Sequence, residues 1–259
     1  MEFLTESYPE EFSDRLFVHY QPQVSLSIPF DNGHVVTGFE ALIRLDFNGK
    51  TILPGNFMPF TTPLQKMIVF KKVLSDIKFI LDSNKFLNLA DYSFGINIEP
   101  ELLSSFSVLN TLRHFPKKYR KSIVLEILET PVPDFNLFVR SVIFVRKKLG
   151  FKFALDDFGS GGPSFRILPL KLIKTVKLDG FFIPGKGQEI HKKKETLMVK
   201  DVSNMLKNMG VSIMAEQIET LKDIQYVKKH VHSAQGFFWG RPAPFHTWET
   251  KIGYIVKKI

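Results

Sequence analysis

The sequence predicts an α/β fold, a TIM-like (β/α)8 barrel whose first strand runs antiparallel to the rest, and three observations carry that expectation. Eight strand-like apolar runs follow one another along the chain, six of them alternating with segments of helical periodicity. The first two runs are separated by a short turn at Asp31-Asn32-Gly33 with no helix between them, which makes their connection an antiparallel hairpin. The length, 259 residues, suits one barrel of this kind. An open doubly wound sheet is the alternative arrangement of the same elements.

Residues 1–16 form an acidic N-terminal extension, and 17–259 form the barrel domain. Phe17 to Val24 is the first strand, with Pro22 marking an irregular or edge position. Val35 to Leu45 is the second. Period two puts Val36, Gly38, Glu40, Leu42 and Arg44 on one face and Phe39, Ala41, Ile43 and Leu45 on the other. The second set packs against helices, so Glu40 and Arg44 point inward, where a lone charge costs several kcal/mol and needs a partner or a metal. Leu53 to Pro63 is a loop. Leu64 to Leu81 is a helix, with Met67, Phe70, Leu74, Ile77 and Leu81 as its buried stripe.

Strands and helices then alternate. Phe94 to Ile98 is a strand, followed by a helix opening at Pro100. Ser122 to Leu128 is the next strand, and the helix from Asp134 to Leu149 is closed by Gly150. The strand Lys152 to Asp156 ends in Asp156-Asp157 and a glycine-rich turn. Neighbouring residues on a strand face opposite ways, so both acids serve one site only if the backbone is already turning there. Leu172 to Gly180 is the following strand, then a helix from Glu195 to Met209 ended by Gly210, the strand Val211 to Glu216, a helix from Leu221 to Lys229, and the last strand, His232 to Phe237.

Composition narrows the class. No apolar run is long enough to cross a bilayer, and the amino terminus lacks the basic-then-apolar order of a signal peptide. A cytoplasmic protein is the expectation. With no Cys, disulfides and thiolate metal sites are excluded. A formal charge of +9 attracts polyanions such as nucleotides, nucleic acid or acidic lipid surfaces, although segments such as His191 to Glu195 read as solvated helix starts. The 26 Phe are expected in the core or at the interface of strands and helices.

The late position of each strand is polar: Glu40, Asn97, Glu126, Asp156 with Asp157, Lys177, Glu216 and Gln235. In a strand-helix barrel these ends converge on one face. Crowded carboxylates repel one another unless cations neutralise them. The oxygen-rich set, with an amide and without HExxH or HxH beyond His230 and His232, favours Mg²⁺ or Mn²⁺. Asp156 can bridge two ions, with Glu40, Asn97 and Glu126 on one and Asp157 on the other, an arrangement suited to phosphoryl displacement. Each residue also has a purely structural alternative. Asn97 caps a helix, Asp157 holds the turn, Lys177 is a buried counter-ion, Glu216 acts through another ligand, and His230 and His232 are surface or packing residues. The shared location at strand ends is what those alternatives leave unexplained.

Taken together, Tyr20-Gln21-Pro22, Glu40-Ala41-Leu42-Ile43-Arg44, INIEPELL around Asn97, LEILET with Glu126 and Glu129, LDDFGSG, VKLDG with Lys177, MAEQIET with Glu216 and AQGFFWGRPAP with Gln235 make the chain similar to the EAL family of cyclic di-GMP phosphodiesterases, over about Phe17 to Pro244. The resemblance implies an antiparallel first strand and hydrolysis of cyclic di-GMP to linear 5′-pGpG with two Mg²⁺ or Mn²⁺ ions, Ca²⁺ being inhibitory. It assigns Glu40, Asn97, Glu126, Asp156 and Asp157 to the metals. Glu40, Lys177 and Glu216 fall to catalysis, with Lys177 orienting the attacking water. Gln21, Leu42, Arg44 and Gln235 go to the substrate, and Glu129 steadies the loop after the paired aspartates.

Two departures from the family pattern, Gly162-Pro163-Ser164 and Thr61-Thr62, bear on dimer geometry and substrate contacts. The partners to expect are cyclic di-GMP and a second copy of the chain in a homodimer, with no DNA or RNA polymer. No sensory or cyclase domain fits in the chain, which resembles the stand-alone members. A catalytically idle binding or protein-contacting module of the same fold is the alternative, disfavoured because every mapped ligand position is retained. An enolase-type proton-abstracting barrel lacks room for its capping domain.

Overall fold

The computed structural model describes residues 9–27, 34–83, 89–158, 164–183, 192–249 and 254–255. Its strands are β1 (Leu16–Ser25), β2 (His34–Phe47), β3 (Lys50–Ile52), β4 (Ser93–Ile98), β5 (Ile123–Ile127), β6 (Lys152–Phe158), β7 (Thr175–Leu178), β8 (Ser212–Ala215), β9 (Ser233–Gln235) and β10 (Tyr254–Ile255). Hydrogen bonding runs in the order β1, β9, β8, β7, β6, β5, β4, β2, and β2 returns to β1. The sheet is therefore a closed barrel, which excludes the open alternative. From β2 round to β9 all neighbours are parallel, while β1 is antiparallel on both sides, pairing Gln21 with Glu40 and Gln23 with Gln235. The turn at Asp31-Asn32-Gly33 lies outside the described residues.

The core fills the layer between barrel and helices. Phe39, Phe94 and Phe245 meet with ring centroids 5.3–6.1 Å apart, and Phe57, Phe151, Phe153 and Phe158 are almost wholly enclosed. Tyr20, 1% exposed, donates its hydroxyl to Asp76 at 2.7 Å and accepts the Trp248 indole at its carbonyl at 2.8 Å. These bonds tie β1 to the long helix and to the C-terminal segment. That helix, Pro63–Ser83, buries the expected stripe of Met67, Phe70, Leu74, Ile77 and Leu81. At its start, the Thr62 amide donates to Gln65 while Thr62 Oγ1 accepts from the Gln65 amide, a reciprocal cap. One of the two departures in sequence thus serves to begin a helix.

Several boundaries differ from expectation for local reasons. The helix opening at Pro100 stops at Leu103, and a second begins at Phe106, capped by Ser105, whose side chain accepts from the Val108 amide. The helix expected from Asp134 to Leu149 is α-helical over Phe135–Ile143 and widens to π turns over Phe144–Leu149, before Gly150 ends it at φ 89. A short helix, Pro9–Asp14, stands within the acidic segment and buries Phe12. The β2–β3 hairpin turns at Asn48-Gly49, both in the left-handed region. Among the described residues no helix is long and apolar enough to cross a membrane.

Candidate metal centre

Because the strands are parallel, Glu126 on β5, Asp156 on β6, Lys177 on β7, Glu216 just past β8 and Gln235 on β9 come to one end of the barrel. Glu40 reaches them from β2. At the centre stands the Lys177 ammonium, 1% exposed. It lies 2.7 Å from Asp156 Oδ1, 2.9 Å from Glu126 Oε2, 3.0 Å from Glu216 Oε1 and 3.3 Å from Glu40 Oε2. Glu40 is further held by Asn97, whose Nδ2 donates to Oε1 at 2.6 Å, and by Gln235, whose Nε2 donates to Oε2. The same Gln235 amide donates to Gln21 Oε1 at 3.0 Å.

Room for this cluster depends on a missing side chain. On β4, a Cβ added at Gly95 would collide with the Glu126 carboxylate, so only glycine there lets Glu126 lie against the strand.

Burial and charge act on these acids unequally. For Lys177 burial opposes the charge, but Asp156, Glu126, Glu216 and Glu40 outweigh it and hold the ammonium well above its ordinary value. Burial pushes Glu216 well above the carboxylate range, Glu126 up to about 8, and Asp156 upward as well. Burial and then the Asp156 charge push Asp157 up to about 6. Glu40 goes the other way: burial works to raise it, but Lys177 with hydrogen bonds from Gln235 and Asn97 keeps it below. One ammonium cannot neutralise five carboxylates, so one stays ionised and the others are driven toward protons or toward further cations.

The donor set fits divalent metal. Glu40, Glu126 and Asp156 can each offer an oxygen within 4.8 Å of the others, and so can Asp156, Asp157 and Glu216, so Asp156 belongs to both groups. Asn97 Oδ1 and Asp156 Oδ1 are buried without a hydrogen-bond donor in line, although the latter is ion-paired to Lys177. Lone pairs buried without donors are what a hard cation would satisfy.

Two adjacent aspartates share this site because β6 is interrupted. Its register with β7 slips between Leu155 and Phe158, and Asp157 has φ 47, so the backbone turns over and both side chains line the same cavities. One cavity, about 250 Å³, is bounded by Gln21, Leu42, Glu216, Gln235 and Phe237. The other, about 590 Å³, runs between β2 and the long helix past Leu42, Met58, Phe70 and Leu102 to Asn97. Arg44 is buried but lines neither cavity, its Nη1 donating to the Ile43 carbonyl at 2.9 Å. Glu129 is half-buried in the bend after β5. The loop it is expected to steady, and with it Gly162-Pro163, lies outside the described residues. His232 is exposed at the surface, its Nδ1 accepting from the Ile213 amide at 3.0 Å.

Gln23 escaped the sequence reading. It is 3% exposed and donates to Gln235 Oε1 at 3.0 Å and to Glu126 Oε1 at 3.4 Å, bridging two site residues. Its signal was available, since period two places it on the same face as Gln21. Gln217, in the left-handed region at φ 55, lines the smaller cavity and donates to Asp179 at 2.8 Å.

A closed barrel with one antiparallel strand and a mouth of converging carboxylates defines an α/β barrel whose site could hold metal ions. The family model described as EAL domain matches residues 6–242, and the chain belongs to the EAL domain family. It is 28% identical over 242 residues to the probable cyclic di-GMP phosphodiesterase PdeB of Escherichia coli, covering 88% of this chain and 42% of that protein. It is 30% identical over 184 residues to the cyclic di-GMP phosphodiesterase PdeA of Borreliella burgdorferi, covering 68% and 26%. The chain thus spans less than half the length of these relatives. Among solved structures, an EAL domain protein from Listeria monocytogenes superposes with a TM-score of 0.78 at 20% identity, covering 97% of each chain. The Bacillus subtilis YkuI protein, in complex with cyclic di-GMP and calcium, superposes with a TM-score of 0.73 at 19% identity, covering 92% of this chain and 66% of that one.

Proposed function

We propose that this chain hydrolyses one phosphodiester bond of cyclic di-GMP, giving linear 5′-pGpG, with two Mg²⁺ or Mn²⁺ ions and with Ca²⁺ inhibiting. The observation that carries the reading is the pair of carboxylate groups sharing Asp156 at the barrel mouth, in a chain whose relatives are named cyclic di-GMP phosphodiesterases. Glu40, Asn97, Glu126 and Asp156 would hold one ion, and Asp156 with Asp157 the other. When bound, such ions supply Lewis acidity at the scissile phosphate and lower the pKa of water.

The rest is the work of the chain. Lys177, held firmly as an ammonium, cannot take a proton, so its part is to orient the attacking water and to balance developing charge. Glu216, at hydrogen-bond distance from that ammonium, is placed to receive a proton or to hold a water. Gln235, braced by Gln21 and Gln23, fixes Glu40 while its neighbour Phe237 lines the cavity. Gln21, Leu42 and Gln235, which line the smaller cavity, are assigned to the substrate, Leu42 standing between the two cavities, whereas Arg44 lines neither. The setting we assign is the cytoplasm, in keeping with a chain that contains no cysteine.

The test is incubation with cyclic di-GMP and Mg²⁺ or Mn²⁺, with Ca²⁺ as control and separation of the products. Linear 5′-pGpG is expected, with turnover falling by about 10³-fold or more in folded Glu40→Ala and Asp156→Asn proteins, the scale of losing a main electrostatic contributor. Binding of cyclic di-GMP without cleavage by metal-loaded protein would instead identify an idle binding module.

A further inference from the structure

Charge is segregated along the barrel axis. Strands β5 to β9 are parallel, so the segments leading into them gather at the end opposite the carboxylates. Those five segments, 113–122, 146–152, 171–174, 207–211 and 228–232, hold fourteen of the chain's 35 lysines and arginines and no aspartate or glutamate. Among the described residues only one of these cations, Lys118, makes an ion pair with a carboxylate, to Asp82 at 3.4 Å. Lys121, Lys174, Lys207 and Lys229 are exposed.

Their fields overlap from strand to strand. Burial, then Arg146, Lys174 and Lys121 hold the Lys152 pKa below its ordinary value, and burial, then Lys207, with Lys174 adding, does the same for His232. Around the entries to β5 through β9 the barrel therefore ends in a cationic face, with Asp82 and Asp91 at the entry to β4 beside it, and the acidic mouth points the opposite way.

We propose that this face docks on an anionic phospholipid surface, leaving the carboxylate mouth open to solvent. The loops that carry the charge are spread around the end of a closed barrel, a broad surface that meets a plane over most of its extent and a rod along only one stripe. Eleven of the fourteen cations are lysines, hydrated point charges that suit a diffuse layer of headgroup phosphate, whereas nucleic-acid sites favour arginine forks and exposed aromatic platforms. The phenylalanines and the tyrosine of these segments, Phe115, Tyr119 and Phe151, are all buried, so the only rings this face exposes are imidazoles such as His114 and His232. Polybasic surfaces of this kind bind anionic bilayers electrostatically and release them in salt.

The experiment is co-sedimentation of the whole chain with vesicles of phosphatidylcholine alone or with about one third phosphatidylglycerol, at about 0.1 and 0.5 M salt. Binding is expected only with the anionic vesicles and only at the lower salt. The triple variant Lys121→Glu, Lys174→Glu, Lys229→Glu should weaken it by about a hundredfold, without change in melting temperature or in turnover. The triple Lys50→Glu, Lys71→Glu, Lys222→Glu, of equal charge on other exposed positions, should weaken it far less. Absence of wild-type binding to anionic vesicles, equal loss in the two triples, or tighter retention by duplex DNA or RNA at the same ionic strength would each overturn the proposal. Because the wild-type comparison between vesicle types and salts needs no variant, the test stands even if the patch triple fails to fold.

Discussion

Lys177 is the residue on which the acidic cluster balances. Among the described residues its ammonium is the one positive group within 3.3 Å of four buried carboxylates, and removing one partner of a buried charge network costs about 3–5 kcal/mol because the remaining charges are left uncompensated. Divalent cations can take over that neutralisation but not the placement of water. Lys177→Ala assayed with saturating Mg²⁺ or Mn²⁺ is therefore expected to lose about 10²-fold or more in kcat while KM moves only a few-fold. An equal loss in both parameters would count against a role in the transition state and leave only the structural one.

At the scale of elements, β4 and the interrupted β6 shape the site. Gly95 makes space on β4 for the Glu126 carboxylate, so Gly95→Ala must displace that carboxylate or bend the strand, at a cost of about 1–3 kcal/mol. A lowered melting temperature together with about a hundredfold loss of turnover is expected. A variant indistinguishable from wild type by calorimetry and assay would show that Glu126 needs no such room.

What was legible in the sequence follows the same division. The strands and the long helix could be placed because burial imposes periodicity on every residue of an amphipathic stretch, and the polar strand ends stood out because they break that rule at a fixed position. Asp156-Asp157 was legible as a problem of geometry, two neighbours on one strand, and the structure answers it with a slipped register and a left-handed Asp157. Gln23 was hidden because an amide on a strand looks like any solvent-facing polar residue until its partners across the barrel are known. The two-residue β10 and the break between Leu103 and Phe106 were not readable, since both depend on contacts made elsewhere in the chain. The Asn48-Gly49 hairpin is different: that dipeptide announces a tight turn, and it was missed despite its signal.

For the molecule as a whole, the acids set a dependence on pH. Glu126 is raised from an ordinary 4.5 to about 8 in the folded chain, and Asp156, Asp157 and Glu216 are raised as well. Between those values the folded chain binds more protons than the unfolded one, so stability without cations falls as pH rises from about 4.5 to about 8. Glu40, shifted downward, acts below that window, and the upward shift of Lys177 acts above 10.5. Cations compete with those protons. The gain in melting temperature from Mg²⁺ or Mn²⁺ over chelator should therefore be small near pH 5 and reach about 5 °C or more near pH 8. A gain that does not vary with pH, followed by thermal denaturation, would contradict this account of the cluster.

The antiparallel β1 has a consequence for how the protein is made. Its neighbours are β2 on one side and β9 with Ala243 on the other, so one side is satisfied by residues that emerge soon after it and the other by Ser233–Gln235 and by Ala243, which bridges Tyr20. Until β9 and Ala243 have left the ribosome, β1 keeps an unpaired edge, as β8 does until β9 emerges, and joining them means closing a span of more than two hundred residues. An open edge of that kind is a template for another chain, so the nascent protein passes through an interval of self-association risk that ends only when β9 and Ala243 slot in beside β1.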